Sequence, residues 1–355
     1  MVRKSEVLEF TSTLFSQLEL RLGDADGYQL ELASFKIRLF VFDPHKKVNL
    51  LPFWHLIQLT KPDDDYEFTV YIADRSYREG SLPAKCWSAA DVQADSSIAG
   101  FAENGFYTSL EADFGNFFLI DHTSRKAVKI FSLEEDALPD WEYFYPLRKI
   151  INQFTIGTSY VLLHAGALAR ADADNGMLLT GRGQSGKSTI CALSACAQIT
   201  FAGDDFLLVD TSTGNGYCLY SSLKVRAHLK DEFHDHAIFK EYPVTAGSDK
   251  SAYYVPKEQG HFLKKQFKIN VVIKPVYRPE LLKPIFEPLS RSQMMRHLAL
   301  STMSIMRGGT NSDQECFRKM GDLIRTVNCF TLSYNSNAGQ VKNAVAHFLN
   351  SPHET

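Results

Sequence analysis

A chain of 355 residues, 45% of them hydrophobic, is long enough for two ordinary domains and apolar enough to give each a core. Its formal net charge of −3 offers no general polyanion-binding surface, which argues against nucleic acid as a partner. Six cysteines without a Cys-x-x-Cys pair fit a reducing cytoplasm better than a secreted scaffold, and no run approaches the ~18 apolar residues of a membrane-spanning helix.

Val7, Phe10, Leu14 and Leu18 recur on one face of residues 5–22 and predict a helix that Gly23 ends. Glu6 and Glu9 within that stretch argue against a signal peptide, so a cytoplasmic protein with no membrane partner is expected. Phe35 to Phe42 reads as a strand turned by Asp43-Pro44, and Glu67 to Ala73 as another. Residues 49–59 show no period, and Asp63-Asp64-Asp65 reads as a solvated loop. Asn116 to Ile120 and Lys126 to Phe131 predict a hairpin. Residues 1–140 are therefore expected to form a mostly β, α+β domain with no catalytic spacing. The acidic stretch Leu133 to Trp141 is expected to mark its end, and residues 141–355 to form an α/β domain.

The second domain opens with an amphipathic helix through Leu147, Ile150, Ile151 and Phe154, then a strand ending at His164. Met177-Leu178-Leu179-Thr180 is a short strand that feeds Gly181-Arg182-Gly183-Gln184-Ser185-Gly186-Lys187-Ser188, a full match to G-x-x-x-x-G-K-[ST]. A helix follows from Thr189 to Ala197. Glycines let such a loop curl so that backbone N–H groups and the positive helix end face phosphate oxygens. Lys187 then reaches the β- and γ-phosphates of ATP, and the Ser188 hydroxyl ligates Mg²⁺. Residues 181–189 are thus the expected nucleotide cradle, with Lys187 exposed when it is empty.

The interval from Lys187 to Asp204 fits one helix, a turn and a strand, which returns Asp204 and Asp205 to the phosphate end of the sheet. Beside Mg²⁺, one carboxylate can hold the metal while the other accepts a proton from an attacking hydroxyl. Phe206 to Val209 followed by Asp210 also fits a Walker B strand.

Beyond it, Gly214-Asn215-Gly216 predicts a turn and Tyr217 to Tyr220 a strand. Leu223-Lys224-Val225-Arg226 reads as an edge strand, and Arg226 is a candidate contact for phosphate or a substrate acid. The stretch 230–267, with His234, His236 and His261 and with His228 just before it, is expected to be a mobile, substrate-facing insertion. His234 and His236 lack the further ligands a metal needs. Strands are predicted at 268–273 and 329–334, and helices at 290–306, 312–327 and 341–349.

His164-Ala165-Gly166-Ala167, the loop ending Gly186-Lys187-Ser188, and Gly203-Asp204-Asp205 together resemble the HPr kinase/phosphorylase family, and more nearly its divergent relatives. The family loop G-x-S-G-x-G-K-S is departed from at Gly183 and Gln184. The resemblance implies a P-loop, HPr-kinase-like C-terminal domain that phosphorylates a hydroxyl, foremost a serine of a protein or peptide, using ATP and Mg²⁺. It implies His164 at the active site and Asp204 as base toward that serine, which leaves Asp205 with Ser188 for the metal. On the residues alone, His164 reads as a core histidine. Two other functions are open: an NTPase or nucleotide-gated regulator built on Asp210, and a small-molecule kinase. A homo-oligomer is compatible with all three.

Overall fold

In the computed structural model, which describes residues 2–42, 49–58, 66–74, 82–111, 116–131, 140–226, 237–242, 250–303 and 310–351, the N-terminal apolar stripe forms α1 (Lys4–Glu19). Its buried face carries Val7, Phe10, Leu14 and Leu18 and packs with Phe40, Tyr71, Phe117 and Val128. Those partners lie on a sheet of β1 (Asp26–Leu32), β2 (Phe35–Phe42), β3 (Ile57–Gln58), β4 (Phe68–Asp74), β5 (Phe106–Glu111), β6 (Asn116–Asp121) and β7 (Lys126–Phe131). The strand order is β3-β1-β2-β4-β7-β6-β5.

The chain divides into two units, Met1–Leu50 with Leu56–Phe154, and Leu51–His55 with Thr155–Thr355. The division after residue 154 lies beyond the 140/141 boundary expected from composition. Helices α2 (Asp140–Phe144) and α3 (Arg148–Phe154) belong to the first unit for a packing reason. Phe154 stacks on Phe68 of β4 at 3.9 Å between ring centroids, and Glu142 of α2 pairs with Lys129 of β7 in a buried ion pair.

Residues 51–55, which show no period in sequence, are built into the second unit instead. Phe53 is fully buried against Tyr220, the Trp54 indole N–H donates to Val255 O (2.8 Å), and the His55 Nε2–H donates to Cys218 O (3.0 Å). The Asp43-Pro44 turn, Asp63 to Asp65, residues 132–139, His228, His234, His236 and residues 304–309 lie outside the described residues.

The second unit contains β8 (Tyr160–Leu163), β9 (Ala165–Arg170), β10 (Asn175–Thr180), α4 (Lys187–Ser194), β11 (Ile199–Gly203), β12 (Leu207–Asp210), β13 (Asn215–Cys218), β14 (Ser222–Arg226), β15 (Lys240–Tyr242), β16 (Lys250–Tyr254), β17 (Gln266–Tyr277), β18 (Ile285–Pro288), α5 (Arg291–Met303), α6 (Thr310–Thr326), β19 (Asn328–Tyr334) and α7 (Ala338–Asn350). Its main sheet runs β11-β9-β10-β17-β13-β12-β8, with β19 pairing further along β17 and β18 beside β19. Strands β10, β17 and β19 are parallel.

Alternation along β10 sets the two faces. Met177 and Leu179 pack with Ile190 and Cys191 of α4 and with Val341, Val345 and Phe348 of α7. Leu178, pointing the other way, packs with Met294 and Leu298 of α5 and Met320 and Leu323 of α6. Helices thus cover both faces, and the loop after Thr180 emerges at the carboxyl end of parallel strands, where open α/β sheets place ligands.

The described part of the expected insertion is not a free segment. Residues 250–254 form β16, the centre of a three-stranded sheet β14-β16-β15, and Gly260 in the short 3₁₀ helix Lys257–Phe262 packs on Trp54. All six cysteines are free thiols. Among the described residues, no helix is long and apolar enough to cross a membrane.

Candidate functional site

Strand β10 stops at Thr180 because the glycine-rich sequence that follows cannot sustain a ladder, and the chain curls through residues 181–186 into α4. Gly186 caps the helix at φ 93°, a conformation glycine adopts freely, and any side chain there would also collide with the Tyr334 hydroxyl. That hydroxyl donates to Ser185 O (3.3 Å), so β19 braces the loop from one side. Gln184 holds a left-handed φ of 68°, at the position where the resembled family places glycine. Arg182, Gly183 and Gln184 form the exposed tip, while Ser188 and Thr189 lie half-buried in the first turn of α4.

Lys187 is not exposed, contrary to expectation: it is 4% exposed, and its Nζ donates to Gly181 O (2.8 Å) and Arg182 O (3.4 Å). The helix start points the side chain back into its own loop, whose carbonyls satisfy the ammonium. Burial lowers the Lys187 pKa, and the charges of Asp205 and Asp204 oppose that shift.

Both aspartates sit on a strained turn. Gly203 ends β11 at φ 131°, Asp205 has φ 59°, and Phe206 N–H closes back on Asp204 O at 2.7 Å. An i→i+2 hydrogen bond across a residue of positive φ is the rarer, strained kind of γ-turn, and such strain concentrates at functional sites. Asp204 is fully buried, and neither of its carboxylate oxygens has a hydrogen-bond partner among the described residues. Burial first, then the Asp205 charge, pushes its pKa up to about 7, against the Ser188 hydroxyl and Lys187, which favour the ionised form. Ser188 acts on the carboxylate from nearby without completing a hydrogen bond of regular geometry.

Gly166 on β9 is the floor under these groups. A Cβ built there would lie 2.7 Å from Cys191 Sγ, 3.4 Å from Asp204 Oδ1 and 3.7 Å from Lys187 Cβ. Gly166→Ala is therefore expected to destabilise the protein by ~1–3 kcal/mol through overpacking, measured by denaturant unfolding. Cys191→Ala should relieve most of that loss in the double variant. An unchanged midpoint in the single variant would mean that the floor is not close-packed.

His164 occupies the corner where the chain leaves β8, paired with β12, and enters β9, paired with β10 and β11. Its Nε2 lies 3.4 Å from Asp205 Oδ1, and its backbone N–H donates to Thr302 Oγ1 (3.2 Å). The Ser301 hydroxyl has one proton and two carbonyl acceptors, Gly181 O (2.8 Å) and His164 O (3.2 Å). Ser301 Oγ must then accept from His164 Nδ1–H (2.9 Å), which leaves Nε2 as the nitrogen facing Asp205. Sequence reasoning missed Ser301 and Thr302, because α5 reads as a methionine-rich core helix. The available signal was two adjacent hydroxyl residues in its apolar stretch.

Lys187, Ser188, Asp204, Asp205 and His164 thus come together, and Asp210 does not join them. It ends β12 in a hairpin turn, accepting from Ser212 N–H (3.0 Å), Ser212 Oγ (2.7 Å) and Thr213 Oγ1 (2.8 Å). Asn215 just beyond it pairs with Lys268, which pairs with Asn175 at the start of β10, so this turn lies at the opposite end of the sheet from the loop. Arg226 is exposed at the end of β14 opposite Lys250 in register. Its charge acts on the Tyr334 hydroxyl, and that of Lys250 on Lys187.

Among the described residues no group of three or more His, Cys, Asp and Glu is arranged as a metal cage. Mg²⁺ does not require one, since one or two carboxylates, waters and phosphates suffice for it. The orphaned oxygens of Asp204, the Asp205 carboxylate and the Ser188 hydroxyl are hard donors of the kind it takes.

No family model matches the chain, and no curated protein matches it in sequence. Among solved structures it is similar to the Hpr(Ser) kinase/phosphatase from Coxiella burnetii, at 12% identity and a TM-score of 0.26, over 53% of this chain and 93% of that one. A likeness of that size carries no argument about function.

Proposed function

We propose that the second unit is an ATP-dependent kinase that transfers the γ-phosphoryl group to a hydroxyl, with a serine of a protein or peptide as acceptor. One observation carries this: a loop lysine and a helix start at the end of β10 meet a fully buried carboxylate whose oxygens complete no hydrogen bond of regular geometry among the described residues. A nucleotide-gated NTPase site built on Asp210 would need that residue's carboxylate at the loop. The Asp210 that would serve such a site is already saturated by its own turn.

In this scheme the loop N–H groups and the α4 terminus hold the phosphates. Lys187 leaves the carbonyls of Gly181 and Arg182 for the β- and γ-phosphates. Mg²⁺, when bound by Ser188 and Asp205, neutralises phosphate charge. Asp204 takes the proton of the acceptor hydroxyl as its oxygen bonds to the γ-phosphorus. The bond from that phosphorus to the bridging oxygen breaks, and ADP leaves with the electron pair. A base with a pKa near the operating pH suits that task. His164, fixed by Ser301, lines the site beside Asp205.

Incubating the protein with γ-labelled ATP, Mg²⁺ and a lysate of its source cells should label a protein or peptide band. Released phosphate with no labelled acceptor would favour the NTPase, and a labelled metabolite the small-molecule kinase.

The role given to Ser301 has its own test. Ser301→Ala should lower kcat by ~5–10-fold, the worth of one hydrogen bond, and Ser301→Thr should restore it. Nitrogen NMR of the His164 ring should show loss of a single tautomer in the Ala variant alone. An unchanged ring spectrum would remove Ser301 from the account.

A further inference from the structure

The kinase scheme leaves one group of charges unused: Arg182 at the loop tip, Lys274 on β17, and Arg296 and His297 on α5. Backbone geometry gathers Arg182, Lys274 and His297, and Arg296 stands exposed next to His297 in the helix. Ile273 pairs with Leu179, so Lys274 stands beside Thr180, at the strand end from which the loop springs. Ser301 donates to Gly181 O, which pins α5 to the loop, and His297 lies one helical turn before Ser301 on the same face of α5. Arg182 is the residue after that pinned carbonyl.

The electrostatics agree with the geometry. Burial lowers the His297 pKa first, and the charges of Lys274, Arg296 and Arg182 each lower it further, with no carboxylate among the groups acting on it. Among the described residues, none of these three cations forms a salt bridge. Like charges held together next to a loop, with no acid between them, are stabilised by an anion that comes from elsewhere.

We propose that Arg182, Lys274 and Arg296 form an oxyanion subsite beside the loop, which takes a phosphate or carboxylate that the acceptor carries near its hydroxyl. Its assignment to the acceptor rests on the kinase function proposed above. Position favours the acceptor over the nucleotide. The cluster lies on the α5 face of the sheet, the side from which Ser301 reaches His164, whereas α4 and the Tyr334 brace lie on the other face. The cluster is one helical pitch, ~5.4 Å, along α5 from Ser301, within the span of a serine in a short acidic segment.

The test is calorimetric titration of inorganic phosphate into the full chain saturated with Mg²⁺ and a non-hydrolysable ATP analogue, so that the loop's own phosphate places, the γ place included, are filled. The wild type should bind phosphate. The combined Lys274→Gln and Arg296→Gln variant should bind it at least ~10-fold more weakly, a loss typical of charge-assisted contacts, while ADP affinity is unchanged. Lys274→Arg with Arg296→Lys should keep phosphate binding, which separates loss of charge from misfolding.

Equal phosphate affinity in the Gln variant, or no phosphate binding by the wild type, overturns the subsite. ATP and ADP affinities distinguish the source of the anion. If the Gln variant loses ATP affinity but keeps ADP affinity, the cluster holds the nucleotide's terminal phosphate and the acceptor assignment is overturned. A wild type that binds no ADP would refute the kinase function alone. The same phosphate titration on the nucleotide-free chain would then still decide the subsite.

Discussion

Asp204→Asn is expected to melt several degrees above the wild type at pH 8 without metal or nucleotide, and to be ~10²–10⁴-fold slower, the usual contribution of a general base. Both effects come from the same burial. In the folded chain the Asp204 carboxyl titrates at about 7 rather than the ordinary 3.8. Between those values the folded state keeps a proton that the unfolded chain has released. The stability tied to that proton is therefore complete below pH 3.8 and is lost as pH rises through about 7. Asn does not titrate, so its advantage should grow over that window and level off above it. Calorimetric melting at pH 5 and pH 8 in EDTA measures this. A constant difference between the two proteins would mean that Asp204 does not hold a raised pKa. The rate loss should appear in kcat and leave Mg·ATP affinity intact, because the loop and Lys187 are untouched.

Lys187→Ala should cost ~10²–10³-fold in turnover, the scale for removing one charge-stabilising donor from a reacting centre, and should weaken ATP binding as well. The fold should survive although the side chain is buried, since Gly181 O keeps its second donor, Ser301 Oγ. The variant should also move the stability window of Asp204 upward in pH. Lys187 is one of the groups that favours the charged carboxylate, and its loss leaves burial and Asp205 less opposed. Steady-state kinetics and pH-dependent melting of one protein preparation read both effects. Wild-type turnover in this variant would remove the loop from the chemistry.

Much of the second unit was legible in its residues, because each signal had a local cause. The apolar run Met177 to Thr180, the glycine-rich loop and the α4 pattern required only propensity and phosphate-loop geometry. Strands such as β6, β7 and β17 are dense in β-branched and aromatic residues. The missed elements depend on distant partners. Strand β9 is mostly alanine and glycine, weak strand formers held between β10 and β11. β1, with Asp26-Gly27 at its start and a half-exposed face, is held by β2. Residues 51–55 carry no periodic signal, since each side chain answers a different partner in the second unit.

The site divides the same way. Lys187, Ser188, Asp204 and Asp205 follow from spacing. The burial of Lys187, the Ser301 link from His164 to Gly181, and the Gly166 floor arise from chain segments far apart in sequence. Asp210 shows the limit of a local pattern: four apolar residues and an acid resemble a metal-binding strand, but antiparallel pairing carries that acid to the far end of the sheet.

Under the proposed function the Asp204 turn, and not Asp210, serves the loop. Turnover and Mg·ATP affinity of Asp204→Asn, Asp205→Asn and Asp210→Asn, measured side by side, test it most directly. Asp204→Asn should bind Mg·ATP and barely turn over. Asp205→Asn should need more Mg²⁺ and recover in part when it is saturating, and Asp210→Asn should lose stability but keep its rate. An inactive Asp210→Asn beside a normal Asp204→Asn would contradict it and put an NTPase in place of the kinase.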